Sequence, residues 1–166
     1  MRIAQSDRIY LRRFEEGDAQ FLYDLNADPE VIRFTGDPPF GSVEEALGFI
    51  KSYDHYLQYG HGRWMVIRRD DEECLGWCGI KYSPYLNEHD LGFRFAKQYW
   101  GQGYATESGR LAVRHSFGQL QIDTLVGRAM IDNKASVNVL IKLGFEYQKQ
   151  VAIDDQAASQ YVLRKT

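Results

Sequence analysis

In RIYLRRF (8–14), Ile9 and Leu11 alternate with polar and charged neighbours, the spacing of a half-buried strand. A helix follows, with Asp18 placed to cap it and Phe21, Leu22 and Leu25 as its apolar stripe. Pro29 ends it, because proline disfavours helix in the residue before it. GDPPFG (36–41) then reads as a mobile connection. Ser42 and Glu45 form an S-x-x-E capping box, and Leu47, Ile50, Tyr53, Tyr56 and Leu57 keep helical spacing up to Gly60, which predicts a second helix.

The period then shortens. RWMVIRR (63–69) and CLGWCGIKY (74–82) read as strands joined by an acidic turn, and HDLGFRF (89–95) as a fourth strand. From about Tyr104 to Phe117 the pattern is helical again, with small residues Ala105, Gly109, Ala112 and Ser116 on one face. TLVGRAM (124–130) is a fifth strand. Ser136, Val139, Leu140 and Leu143 form the inner stripe of a further helix, stopped by Gly144 with Phe145 after it, as a Schellman ending prefers. FEYQKQVAI and SQYVLRK close the chain as a hairpin. The order β α α β β β α β α β β, without repeats or linkers, describes a single mixed α/β domain over residues 1–166.

Composition narrows the chemistry. At 44% hydrophobic and 14% aromatic residues the chain has material for a core, and its apolar runs fall short of the roughly 20 residues of a membrane span. A net charge of −3 with mixed signs gives no basic field for nucleic acid. The N-terminus lacks a signal-peptide pattern, so the expected compartment is the cytoplasm. Cys74 and Cys78 have no second metal-ligating pair nearby; strand spacing puts both on one face as buried free thiols. The four histidines form no close pair in the sequence and read as surface or packing residues, so no metal is expected.

The stretch KQYWGQGYATESG (97–109) places Gly101 and Gly103 where strand gives way to helix. The first amides of a helix lack intrahelical partners and its dipole favours negative charge, so this turn is a seat for a pyrophosphate. A P-loop would need Gly-Lys-Ser or Gly-Lys-Thr, which is absent, and the third small residue of a dinucleotide fingerprint is replaced by Thr106.

Gln98, Gly101 and Gly103 match the Q/R-x-x-G-x-G/A signature of the GNAT superfamily of acyl-CoA-dependent N-acyltransferases, and YWGQGYATE resembles its RimJ/RimL-like branch. NADPEVIRF near the start, HDLGFRF, and N-x-x-S followed by LIKLGFE at 133–146 occur in that branch's order, so the resemblance covers about residues 8–147. It implies a mostly antiparallel sheet of about seven strands, splayed between the fourth and fifth, with about four helices on its two faces. It also implies an acetyl-CoA cosubstrate and an amine acceptor. The amides of Gln98, Gly101, Gln102, Gly103, Tyr104, Ala105 and Thr106 would hold the pyrophosphate, while Phe93, Arg94 and Phe95 pair with the pantetheine arm. Asn133 resembles the family asparagine that contacts the cofactor arm, although an N-cap explains it equally well.

Attack on a thioester needs a neutral amine, a condition an N-terminal α-amino group meets near neutral pH far better than lysine does. Asp90 stands where the branch often has glutamate; being shorter, it would take the amine proton through water. Glu88 and His89 are lesser alternatives. The helix after the fifth strand has no tyrosine to act as acid, and Ser136 of N-x-x-S is the candidate to hydrogen-bond the leaving sulfur. Glu107 and Trp100 read as structural residues, and Tyr53, Tyr56 and Tyr59 as cleft wall or core. The acceptor is expected to be a protein or peptide N-terminus, with a small-molecule amine or a non-catalytic acyl-CoA-binding module as alternatives, and the assembly a monomer or homodimer without nucleic-acid or membrane partners.

Overall fold

The alternation that defines the strands resolves into one eight-stranded sheet in a computed structural model that describes residues 1–166. Its strands are β1 Arg2–Gln5, β2 Ile9–Arg12, β3 Arg63–Arg68, β4 Cys74–Ser83, β5 Glu88–Phe95, β6 Thr124–Met130, β7 Glu146–Ile153 and β8 Gln156–Arg164. The spatial order is β1-β2-β3-β4-β5-β6-β8-β7. The strand beyond the expected seven is β1, in which Arg2, Ala4 and Gln5 pair with β2 around a bulge. All neighbours are antiparallel except β5 and β6, which run parallel and pair only at Asp90 and Val126. Beyond that point the two strands part.

Alternation along β3 sends Trp64 and Val66 to one face and Met65 and Ile67 to the other, each buried in a different core. On the first face lie α4 Tyr104–Gly118 and α5 Lys134–Lys142; on the second, α1 Ala19–Ala27 and α2 Val43–Lys51. The helix expected from 42 to 59 is two helices, α2 and the single turn α3 His55–Tyr59. Ser52 donates its hydroxyl to the Phe49 carbonyl, and the Asp54 carboxylate accepts from Gln58, so these polar side chains serve local bonds at the break.

Three local details bear on the sequence reading. Asp18 does not cap α1 with its side chain; it is buried and takes a two-pronged bond from Arg12 at 2.8 Å per arm. A register shift opposite Val66 and Ile67 sends Cys74 toward the α1/α2 core and Cys78 toward the α4 core, so the two thiols lie on opposite faces. The ending of α5 follows the expectation: Gly144 is left-handed at φ 98° and the Phe145 N–H returns to the Leu140 carbonyl.

Candidate active site

The parting of β5 from β6 opens one edge of β5. The Ala96 N–H bonds to the Leu75 carbonyl at 3.0 Å and continues the register of Trp77 with Arg94 and Gly79 with Gly92. In an antiparallel ladder the groups facing the partner alternate, so Arg94 and Gly92 turn their main chain to β4, whereas Leu91, Phe93 and Phe95 turn theirs to the gap. The gap continues into a cleft of about 740 Å³. Asp90, Phe93, Ala129, Asn133 and Ser136 line it, as do Tyr53, Trp77 and Pro38 on the side of α1 and α2.

Arginine and carboxylate pairs fix the polar walls of this cleft. Arg63 crosses Gly92, where a Cβ would come within 2.6 Å of its Nη2, and donates from Nη2 to Asp90 Oδ1 at 2.8 Å and from Nη1 to the Gly79 and Asp90 carbonyls. Arg94 lies on Trp77, with its guanidinium carbon 5.1 Å from the ring centre, and donates to Asn26 and Asp37. Arg128 pairs with Glu88 and donates from Nε to the buried Gln160 at 2.7 Å. Ser136 gives its amide to Asn133 Oδ1, which makes Asn133 the N-cap of α5, and its hydroxyl has no protein partner.

The glycine turn lies outside the cleft's lining but continues the line of β5. Gly101 and Gly103 are left-handed at φ 74° and 85°, and Gly103 is the N-cap of α4. None of the main-chain N–H groups of residues 101–106 meets a protein acceptor. The turn is tethered from below by Arg8, which donates to the Gln102 carbonyl at 3.0 Å and to Glu107 at 2.7 Å and covers the Tyr104 ring. Ser6 also donates to Glu107, which accounts for that acid structurally. Gln98 is exposed in the short turn Lys97–Tyr99, and its carbonyl accepts from the Gln102 side chain.

Three of the four histidines, scattered in the sequence, come together at the edge of the cleft, which His55 lines, while His115 packs on Trp64. The rings of His55 and His61 are 5.6 Å apart and those of His61 and His89 5.4 Å apart. His61 donates from Nδ1 to the Ile80 carbonyl, and His55 Nε2 accepts the Tyr82 N–H. Desolvation lowers the pKa of all four imidazoles, that of His55 to about 4. Unfolded histidines take protons from about pH 6.5 downward while the folded ones resist, so stability is full above that pH and falls as pH drops toward the folded values. Thermal melts are expected to give a lower Tm at about pH 5 than at about pH 7, and replacing His61 with glutamine should shrink that difference. Burial likewise raises the phenols of Tyr53 and Tyr56, which bind the main chain of Arg63, and pushes the Cys78 thiol up to about 12.

The structure therefore brings Asp90, Phe93, Arg94, Asn133 and Ser136 to one cleft and leaves Phe95, Gln98, Gly101, Gln102, Gly103, Tyr104, Ala105 and Thr106 outside its lining. Sequence reasoning missed Arg63 and Arg128. For Arg128 the available signal was a lone arginine inside the otherwise apolar TLVGRAM, whereas Arg63 opens RWMVIRR, which holds two further arginines, and carried no such signal.

A parallel strand pair that parts into a cleft, followed by a helix N-terminus of free amides, is the arrangement the resemblance implies for an acyl-CoA-dependent acyltransferase. The sequence profile of the acetyltransferase (GNAT) domain matches residues 8–146, so the chain belongs to the GNAT family and is an acetyl-CoA-dependent N-acetyltransferase. Among its relatives is the uncharacterised N-acetyltransferase YoaA of Bacillus subtilis, 28% identical over 146 residues, which cover 87% of this chain and 82% of that one. Two solved structures share the fold. RimL, the ribosomal L7/L12 alpha-N-protein acetyltransferase in complex with coenzyme A, superposes with a TM-score of 0.81 at 18% identity, covering 99% of this chain and 98% of the other. The spermidine N-acetyltransferase of Vibrio cholerae with CoA and spermine gives 0.81 at 17% identity, covering 96% of each.

Proposed function

We propose that the acceptor is the N-terminal α-amino group of a protein or peptide, acetylated directly from acetyl-CoA, as in the RimJ/RimL-like branch. The observation that carries this reading over a polyamine acceptor is the state of the cleft's carboxylates. Asp90 is paired with Arg63, Asp37 with Arg94, and Glu88, behind the wall, with Arg128; Glu45 accepts the Gly41 amide. A polycation would find most of its counter-ions already paired with arginine, Glu45 alone among the lining carboxylates having no cation partner, so its desolvation cost brings little return. A single neutral amine needs no such counter-charge.

The residues fit the cosubstrate. The free amides of residues 101–106 and the dipole of the 15-residue α4 suit its pyrophosphate, and the outward main chain of Phe93 and Phe95 suits the amides of its pantetheine arm. The cosubstrate supplies an acetyl group activated as a thioester. In this reading Asp90 takes the amine proton through a water at Oδ2, the oxygen that Arg63 leaves free. An outward N–H of β5 stabilises the charge that develops on the carbonyl oxygen. Ser136 donates its hydroxyl to the sulfur as the C–S bond breaks.

Thiol release from acetyl-CoA, measured over peptides with free or blocked N-termini and over spermidine, tests the reading. Release is expected with free peptide N-termini and is expected to vanish when they are blocked. Release with spermidine alone would overturn it. Acetyl-CoA is also expected to raise Tm by several degrees, since it binds only the folded chain.

A further inference from the structure

Arg94 is the cleft cation whose guanidinium keeps a buried N–H without a partner. It stands on β5 four residues beyond Asp90, on the same face of the strand, so the two Cα atoms are roughly 13 Å apart. Its side chain is 10% exposed. Nη1 donates to Asn26 at 2.9 Å and Nη2 to Asp37 Oδ2 at 2.7 Å, while Nε is buried with no hydrogen-bond partner. A carboxylate that meets guanidinium side-on takes Nε and Nη2 together. The present occupant takes only one of them.

That occupant is also the weakly held member of the pair. Asp37 is 55% exposed and belongs to the connection between α1 and α2, whereas Arg94 is fixed by its strand, by Trp77 and by Asn26. The same connection brings Thr35, Pro38, Pro39 and Phe40 to the cleft. Lys81, across the ladder from Asp90, also lines the cleft and has no carboxylate partner.

We propose that Arg94 selects acceptors carrying a carboxylate in the same molecule as the amine, which displaces Asp37 and engages Nε and Nη2 together. The inference rests on the amine-acceptor reading above. With the amine at the Asp90 end, the span to Arg94 matches an extended peptide whose acidic side chain lies within its first few residues. The carboxylate of a long ω-amino acid offers the same chemistry.

The test compares kcat/KM for peptides with glutamate or glutamine at the second, third or fourth residue, and for ω-amino acids of increasing length against their amides. Acidic members are expected to exceed their amide partners by about 10-fold to 100-fold at one position or length. The arm in which that preference appears identifies the source of the carboxylate. Arg94→Gln is expected to bring the ratio to about one, and Arg94→Lys to restore part of it, because lysine keeps the charge and loses the fork. Asp37→Asn, whose amide oxygen can still accept from Nη2, is expected to lower KM for the acidic members alone, and it carries the test where Arg94→Gln does not fold. Equal rates for acids and amides overturn this inference and leave the amine-acceptor reading standing. Release with no member of the panel overturns both.

Discussion

A Gly103→Val variant is expected to lose most of its affinity for acetyl-CoA, by about 10-fold or more, while the sheet stays folded. In the free protein the nearest atom to a Cβ at this position is Arg8 Nη2 at 3.5 Å, an ordinary contact, so crowding is not the obstacle. The obstacle is the backbone. Gly103 holds φ at 85° as the N-cap of α4, where a β-branched residue is strained by about 1–3 kcal/mol. Relief of that strain rotates the peptide units on either side, and with them the amides that are aimed outward together. Isothermal titration with acetyl-CoA measures the loss, and thermal melting of the unliganded protein separates it from unfolding. Gly103→Ala is expected to fall between the valine variant and the parent. If Gly103→Val binds as tightly as the parent, the pyrophosphate seat does not lie in this turn.

What the sequence discloses here is what local spacing can encode. The Ser42 cap of α2, with Glu45 accepting from the Gly41 amide instead of that of Ser42, the Schellman ending at Gly144 and the left-handed glycines of the turn are set by residues a few positions apart. They leave a signature in adjacent letters. The polar wall of the cleft leaves none: Arg63 meets Asp90 across 27 positions, Arg128 meets Glu88 across 40, and Arg94 meets Asp37 across 57. The same distance hides the departures from expectation. Arg12 draws Asp18 away from capping, and one bulge between β3 and β4 sends Cys74 and Cys78 to opposite faces. Alternation identifies a strand, but only tertiary pairing decides which partner a charged side chain on it will find. The expected splay was legible through the family resemblance alone, because parting strands are defined by bonds they do not make.

The second large effect is expected at the two residues assigned to proton movement, and the shapes of their pH profiles distinguish them. Asp90→Asn can still accept from Arg63 Nη2 through its amide oxygen, so the wall is preserved and the carboxylate alone is lost. Turnover with a peptide acceptor is expected to fall most near pH 6, where the amine is largely charged, and to recover toward pH 9, where an amine of pKa about 7.7–8.0 is neutral without help. Asp90→Ala would instead leave Arg63, whose side chain is 17% exposed, without its counter-ion, at a stability cost of about 3–5 kcal/mol, and so would mix folding with catalysis. Ser136→Ala removes a hydroxyl that has no protein partner, so the fold has little to lose. Its turnover is expected to drop by about 10-fold to 100-fold at every pH, because a donor to the departing sulfur is needed whatever the state of the amine. Near-parental turnover in both variants across that range would remove both roles. The rate would then rest on the alignment of amine and thioester between β5 and β6, together with the outward main-chain donors of β5.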